Sequence, residues 1–201
     1  MEKVDLRNAK LMGGIGAILP LVAGLFFRNS TIMSLLFSVV SIVLIFMSLN
    51  DISKKTKTPE IFSYYLIGFI LSIVSYIILI IFVFVGGANV LFSILTGSLA
   101  GFRALGAGAV AILLAYYGLM VASYYYTKKS FDSASVALNN PHFKTAGLLL
   151  FLGTILLIIV IGALVLLVGV IFEIVAFFSI PDELEIGTPP PPAEIVETPK
   201  E

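Results

Sequence analysis

The chain has 201 residues, of which 59% are hydrophobic and 12% charged, where an ordinary soluble domain is about 45–50% apolar and about 25% charged. With a mean hydropathy of +1.10 it has too little polar surface to cover a globule in water, and it reads as an integral membrane protein. Its twelve basic and twelve acidic residues cancel, it has no cysteine, and its one histidine is His142; these counts exclude a basic nucleic-acid footprint, disulfides, thiolate metal sites and a multi-histidine centre within the chain.

Residues 1–10 form a basic N-terminus. The first predicted span, 11–27, is ended by Arg28 and carries Gly13, Ala17, Pro20 and Gly24 on one face. No clear small-x-small cleavage site follows it, so it is kept as a span rather than a signal peptide. The second, 32–49, is ended by Asn50 and Asp51 and carries Ser34, Ser38, Ser41 and Ser48. A basic loop, 50–60, follows and suits anionic headgroups or the acidic tail. The third span, 61–85, carries Gly68, Ser72 and Ser75 and opens on Tyr64 and Tyr65, as an aromatic belt does.

Segment 88–102 is apolar but too short to cross, with Asn89, Ser93, Thr96 and Ser98 interspersed. It reads as interfacial or re-entrant. The fourth span, 104–126, has a stripe of small residues: Ala104, Gly108, Ala111, Ala115, Gly118 and Ala122. Helices in lipid associate by close backbone approach, so such stripes are expected to face inward. Tyr124, Tyr125 and Tyr126 close this span ahead of Lys128 and Lys129.

The run 145–180 holds one charge, Glu173. As a single helix it would be about 54 Å long, against a hydrocarbon core of about 30 Å. It is therefore split near Gly162 into spans 145–161 and 163–180. Residues 181–201 then change character. They are acidic and contain Pro189-Pro190-Pro191-Pro192, the composition of a disordered cytoplasmic tail with a polyproline II spacer, or of a docking segment for a cytoplasmic partner.

The expected fold is all-α: a polytopic bundle of six transmembrane helices, 11–180, as three tandem hairpins. A tetrapeptide Gly-x-Ile-Leu recurs at Gly16, Gly68 and Gly153 in the three outgoing helices, as an internal repeat would have it. With six spans, ten Lys and Arg lie on the side of the termini and two, Arg28 and Arg103, on the other. That asymmetry places both termini in the cytoplasm.

Motifs of chemistry are missing. There is no Walker A loop, HExxH or GxSxG. Gly106-Ala107-Gly108-Ala109-Val110-Ala111 matches a dinucleotide fingerprint only formally, since it lies inside an apolar span with no strand before it. His142 follows Pro141 and reads as a solvated or interfacial loop residue with no catalytic or metal partner. No catalytic residues, metal ligands or cofactors are expected.

Glu173 is the one acid or base well inside a span. It stands about 10 Å from the inner boundary, in helical register with Gly162, Gly169 and Ala176. An ionised carboxylate there costs about 2.5–3.5 kcal/mol or more, so such residues face a cavity or a partner. Two readings stand: a functional site, or a protonated Glu173 held by a structural hydrogen bond to Ser41, Tyr116 or Tyr117 at similar depth. Gly108, Ala111, Ala115, Gly118 and Gly169 are the expected helix-packing positions.

Three stretches carry a resemblance: Asn8-Ala9-Lys10-Leu11 with Gly13-Gly14-Ile15-Gly16; Phe143-Lys144-Thr145-Ala146-Gly147-Leu148; and Val175-Ala176-Phe177-Phe178-Ser179-Ile180-Pro181. Together, over 8–181, the chain resembles an uncharacterised, mainly archaeal membrane family, domain of unknown function nine-nine-six. The resemblance implies a helical membrane protein and transfers no functional residue. From the residues themselves, the expected function is a non-catalytic structural, accessory or partner-binding component of the cell membrane. The alternative is a transporter or channel using Glu173, as an oligomer. The expected partners are the lipid bilayer and either a membrane protein or further copies of the chain.

Overall fold

The structure is a computed structural model that describes residues 2–26, 30–96 and 100–186. Strand β1 (Glu2–Asp5) leads into α1 (Arg7–Phe26), α2 (Thr31–Lys55), α3 (Glu60–Thr96), α4 (Ala100–Ala137), α5 (Pro141–Leu156), α6 (Ile161–Phe178) and strand β2 (Glu183–Ile186). Each of the six helices has a stretch long and apolar enough to cross a membrane. They pair as hairpins α1/α2, α3/α4 and α5/α6, with α4 also packed on α5 and α1 on α6.

Two differences from the sequence reading concern helix length. α3 runs unbroken for 37 residues and α4 for 38, roughly 55 Å each, so this hairpin overshoots a hydrocarbon core of about 30 Å. In place of a separate segment at 88–102, α3 continues through Thr96 and α4 resumes at Ala100. No proline interrupts this stretch, and isolated polar residues do not break a helix. Residues 97–99 lie outside the described residues. α2 likewise extends to Lys55, deeper into the expected loop; Lys55 Nζ donates to Asp51 Oδ2 at 2.7 Å and to the Asp5 carbonyl at 2.6 Å.

The last apolar run does break, but earlier than Gly162. A single 3₁₀ turn, Leu157–Ile159, separates α5 from α6, and Val160 takes φ 62°. Gly162 is pressed onto Gly153 and Leu157 with no room for a Cβ, so the turn closes over a glycine.

The two chain ends meet. β1 and β2 pair antiparallel, with Lys3 opposite Glu185 and Asp5 opposite Glu183. The Leu6 amide donates to the Asp182 carbonyl at 2.8 Å, and Lys10 pairs with Asp182 at 3.0 Å. The head of the tail is thus ordered as a strand instead of disordered, because the basic N-terminus offers it a partner. Residues 187–201, including the four prolines, lie outside the described residues.

The densest core sits at this same end. Leu6, Leu49, Ile52, Ile61 and Ile180 are buried there, around edge-to-face rings of Phe131, Phe143 and Phe177 with centroids 5.1–6.4 Å apart. Farther along, large apolar side chains such as Leu35, Ile70, Ile80, Leu114 and Leu164 point outward, as lipid-facing helices require.

Serines join the two helices within each of the first two hairpins. Ser41 Oγ donates to the Gly16 carbonyl at 2.7 Å and Ser48 Oγ to the Ala9 carbonyl at 2.7 Å. Ser123 Oγ donates to the Gly68 carbonyl at 2.7 Å and Ser130 Oγ to the Ile61 carbonyl at 2.6 Å. Both sets keep the same seven-residue interval on both helices. The third hairpin uses glycines instead: a Cβ at Gly153 would come within 2.8 Å of the Leu166 amide nitrogen, and one at Gly169 within 3.0 Å of that of Leu150.

Candidate intramembrane site

Glu173 lies on α6, five residues from its end, and lines a cavity of about 360 Å³ between the three hairpins. All six helices contribute to its wall. Five aromatic rings surround the space: Tyr65, Phe69 and Tyr76 from α3, and Tyr116 and Tyr124 from α4. Their spacing follows the helix, since positions three, four, seven and eight residues apart share one face.

The serine and threonine hydroxyls in the wall are spent as donors on backbone, while Tyr65, Tyr76, Tyr116 and Tyr124, each carrying a hydroxyl, also line it. Ser72 donates to the Phe69 carbonyl at 2.7 Å, Ser75 to the Tyr116 carbonyl at 3.1 Å, and Thr127 to the Ser123 carbonyl at 3.2 Å. Ser123 is committed to Gly68 as described. No hydrogen bond or ion pair among the described residues engages the Glu173 carboxylate. Among the described residues Glu173 is the one charged side chain of the wall, and no lysine or arginine lines it.

The expected partners of Glu173 divide. Tyr116 shares the cavity with it. Ser41 does not, because its hydroxyl faces α1 and is held by Gly16. Tyr117 is turned one position around α4 and its hydroxyl donates to the Ile155 carbonyl at 2.5 Å. Glu173 is therefore not glued to either.

Of the expected packing positions, Gly169 lies against Leu150. The α4 stripe differs: Gly108, Ala111, Ala115 and Gly118 are exposed in the chain, and a Cβ at Gly108 or Gly118 would meet nothing within 4 Å. α4 turns the face with Ser123 and Ser130 toward α3 because hydroxyls there find carbonyl partners. The side chain of Ala104 lies outside the described residues.

Tyr65 and Tyr124 were expected in the interfacial belt and instead enter the bundle. Their neighbours keep the belt role: the Lys129 ammonium stands 5.4, 5.0 and 5.9 Å from the ring centres of Tyr64, Tyr125 and Tyr126. Adjacent helical residues diverge by about 100°, so in a run of tyrosines at one depth some point outward and others into the bundle. That divergence was the available signal. His142 is also placed differently, half-buried in the first turn of α5, where its amide donates to Asn140 Oδ1 at 3.1 Å.

A family model described as "Protein of unknown function (DUF996)" matches residues 37–171. The chain belongs to this family. An uncharacterized protein of Methanocaldococcus jannaschii is 37% identical to it over 185 residues, covering 92% of this chain and 98% of the relative. No solved structure matches the chain. The DUF996 match runs from α2 into α6 and stops two residues before Glu173, so it includes most of the cavity wall but not its carboxylate.

Proposed function

We propose that this DUF996 protein is a non-catalytic, multi-pass protein of the cytoplasmic membrane that takes a small solute into its bundle beside Glu173. One observation carries the reading: the cavity of about 360 Å³ that all six helices line, with an unpaired carboxylate in its wall. Its volume falls in the range of about 300–1,000 Å³ usual for small-molecule sites. An intramembrane carboxylate without a protein partner is expensive and is kept where a cavity uses it. Among the described residues the wall offers no nucleophile with an adjacent base, which favours binding over catalysis. The ten-to-two distribution of basic residues supports cytoplasmic termini. The matching serine bonds in the first two hairpins, and the close-packed glycines of all three, support descent from a tandem repeat.

A second reading, an accessory component that pairs with another membrane protein or a second copy, rests on the exposed small residues Gly108, Ala111, Ala115 and Gly118.

The solute reading is tested by purifying the full chain in mild detergent and analysing extracted small molecules by mass spectrometry, beside Ser72→Phe, which fills the cavity. A species near one per chain with the native protein, and absent from the filled variant, is expected. Equal amounts from both, or none from either, would overturn it.

A further inference from the structure

We propose that the solute this cavity takes is an amphiphilic organic cation, an alkyl- or aryl-ammonium, that enters sideways from the bilayer. The proposal rests on the solute-binding reading above and adds the ligand's chemical class and its route.

The charge comes first. Among the described residues Glu173 is the cavity's sole charged group. An anion would be repelled by the ionised carboxylate, and a neutral ligand gives that form no compensating charge. An ammonium compensates it directly through a charge-assisted hydrogen bond or ion pair. The shape of the wall then selects among cations. Calcium takes about 6–8 oxygen ligands and magnesium a near-ideal octahedron. Here a single carboxylate is the one anionic ligand among the described residues, in a space far larger than a bare ion. Five aromatic rings are instead the surroundings that attract an organic ammonium over their faces.

The route follows from exposure. Tyr76 on α3 and Ile42 on α2 both line the cavity, yet they are 57% and 38% exposed. α2 is packed chiefly on α1 rather than on α3. The cavity therefore opens on the flank of the bundle, between α2 and α3, where the surface faces acyl chains. A ligand arriving there is already partitioned into the membrane, so it carries apolar bulk beside its charge.

Benzyltrimethylammonium is a suitable probe, with benzyl alcohol as its neutral and benzenesulfonate as its anionic counterpart. Titration calorimetry of the full chain in a neutral maltoside detergent should show one benzyltrimethylammonium site, about tenfold or more tighter than benzyl alcohol, and no benzenesulfonate binding. Glu173→Gln should weaken the cation about tenfold and leave benzyl alcohol unchanged. Tyr76→Leu, at the mouth, should weaken it several-fold. A measurement on the native chain covers the case in which a variant fails to fold: benzyltrimethylammonium should slow modification of Glu173 by dicyclohexylcarbodiimide about fivefold, and benzyl alcohol should not. Equal affinity for cation and alcohol, an unaffected Glu173→Gln, or unprotected Glu173 would overturn the proposal. A co-purifying neutral solute alongside such a result would leave the solute reading standing and remove only the cation.

Discussion

Gly68 and Ser123 lock α3 to α4 from both directions. A Cβ on Gly68 would lie 2.8 Å from the Ser123 carbonyl oxygen, while Ser123 Oγ donates to the Gly68 carbonyl at 2.7 Å. Gly16 and Ser41 stand in the same relation between α1 and α2, at 3.1 and 2.7 Å. Lipid supplies no hydrophobic force between helices, so close packing and such bonds must hold them.

The two halves of that lock should differ in strength. Ser123→Ala removes one hydrogen bond and should cost about 0.6 kcal/mol. Gly68→Ala pushes a methyl group into backbone that cannot yield easily, and should cost roughly 1–3 kcal/mol. Unfolding both variants in the same detergent ranks them. A larger loss from Ser123→Ala would mean that the bond, not the close approach, dominates.

The turn between α5 and α6 stores strain. Val160 is β-branched, sits at φ 62°, and is 78% exposed, so little packing would be lost with its side chain. Such backbone costs of order 1–3 kcal/mol. Val160→Gly should raise the melting temperature, with a gain of about 1 kcal/mol; a lowered one would show that the side chain is held by something the turn needs.

Ala115→Leu should leave the stability of a single chain within about 0.5 kcal/mol, the range of surface substitutions. Ala115 faces outward, against the sequence expectation that its stripe packs inside. Leu114→Phe, on a neighbouring exposed position, should behave alike. A loss of more than about 1 kcal/mol specific to Ala115→Leu, growing with protein concentration, would reveal a second copy seated on that face.

Topology can be read by single cysteines in this cysteine-free chain. Cysteine at Ser30 should react with a membrane-impermeant maleimide on intact cells. Cysteines at Lys54, Val136 and Thr188 should react only after permeabilisation. Labelling of the Thr188 site from outside would contradict the pairing of β1 with β2, which holds the two ends together.

The six helices were legible because apolar length is a strong signal, and the split of 145–180 followed from arithmetic on one helix against one bilayer. The faces were less legible. Small residues at three- and four-residue spacing mark where a helix can be approached, not where its own chain approaches it. On α4 the stripe of Gly108 and Gly118 and the line of Ser123 and Ser130 compete as packing surfaces, and the hydroxyls won because each has a carbonyl within reach. The position of Glu173 stood out in the sequence, yet its surroundings did not: Tyr65, Tyr76 and Tyr124 come from helices whose rotation only the assembled bundle sets. The strand at Glu183–Ile186 was hidden because its partner lies at the opposite end of the chain.

That strand pairing has a consequence for synthesis. Residues 2–5 leave the ribosome about 180 residues ahead of their partners at 183–186. At about 5–20 residues per second, the opening strand waits roughly 9–36 seconds for a mate. During that interval it is an unpaired edge beside a basic helix start, open to other strands or to headgroups. Its closure marks the moment at which all six helices have been delivered, and a bulky fusion ahead of Lys3 would interfere with that last step before any other.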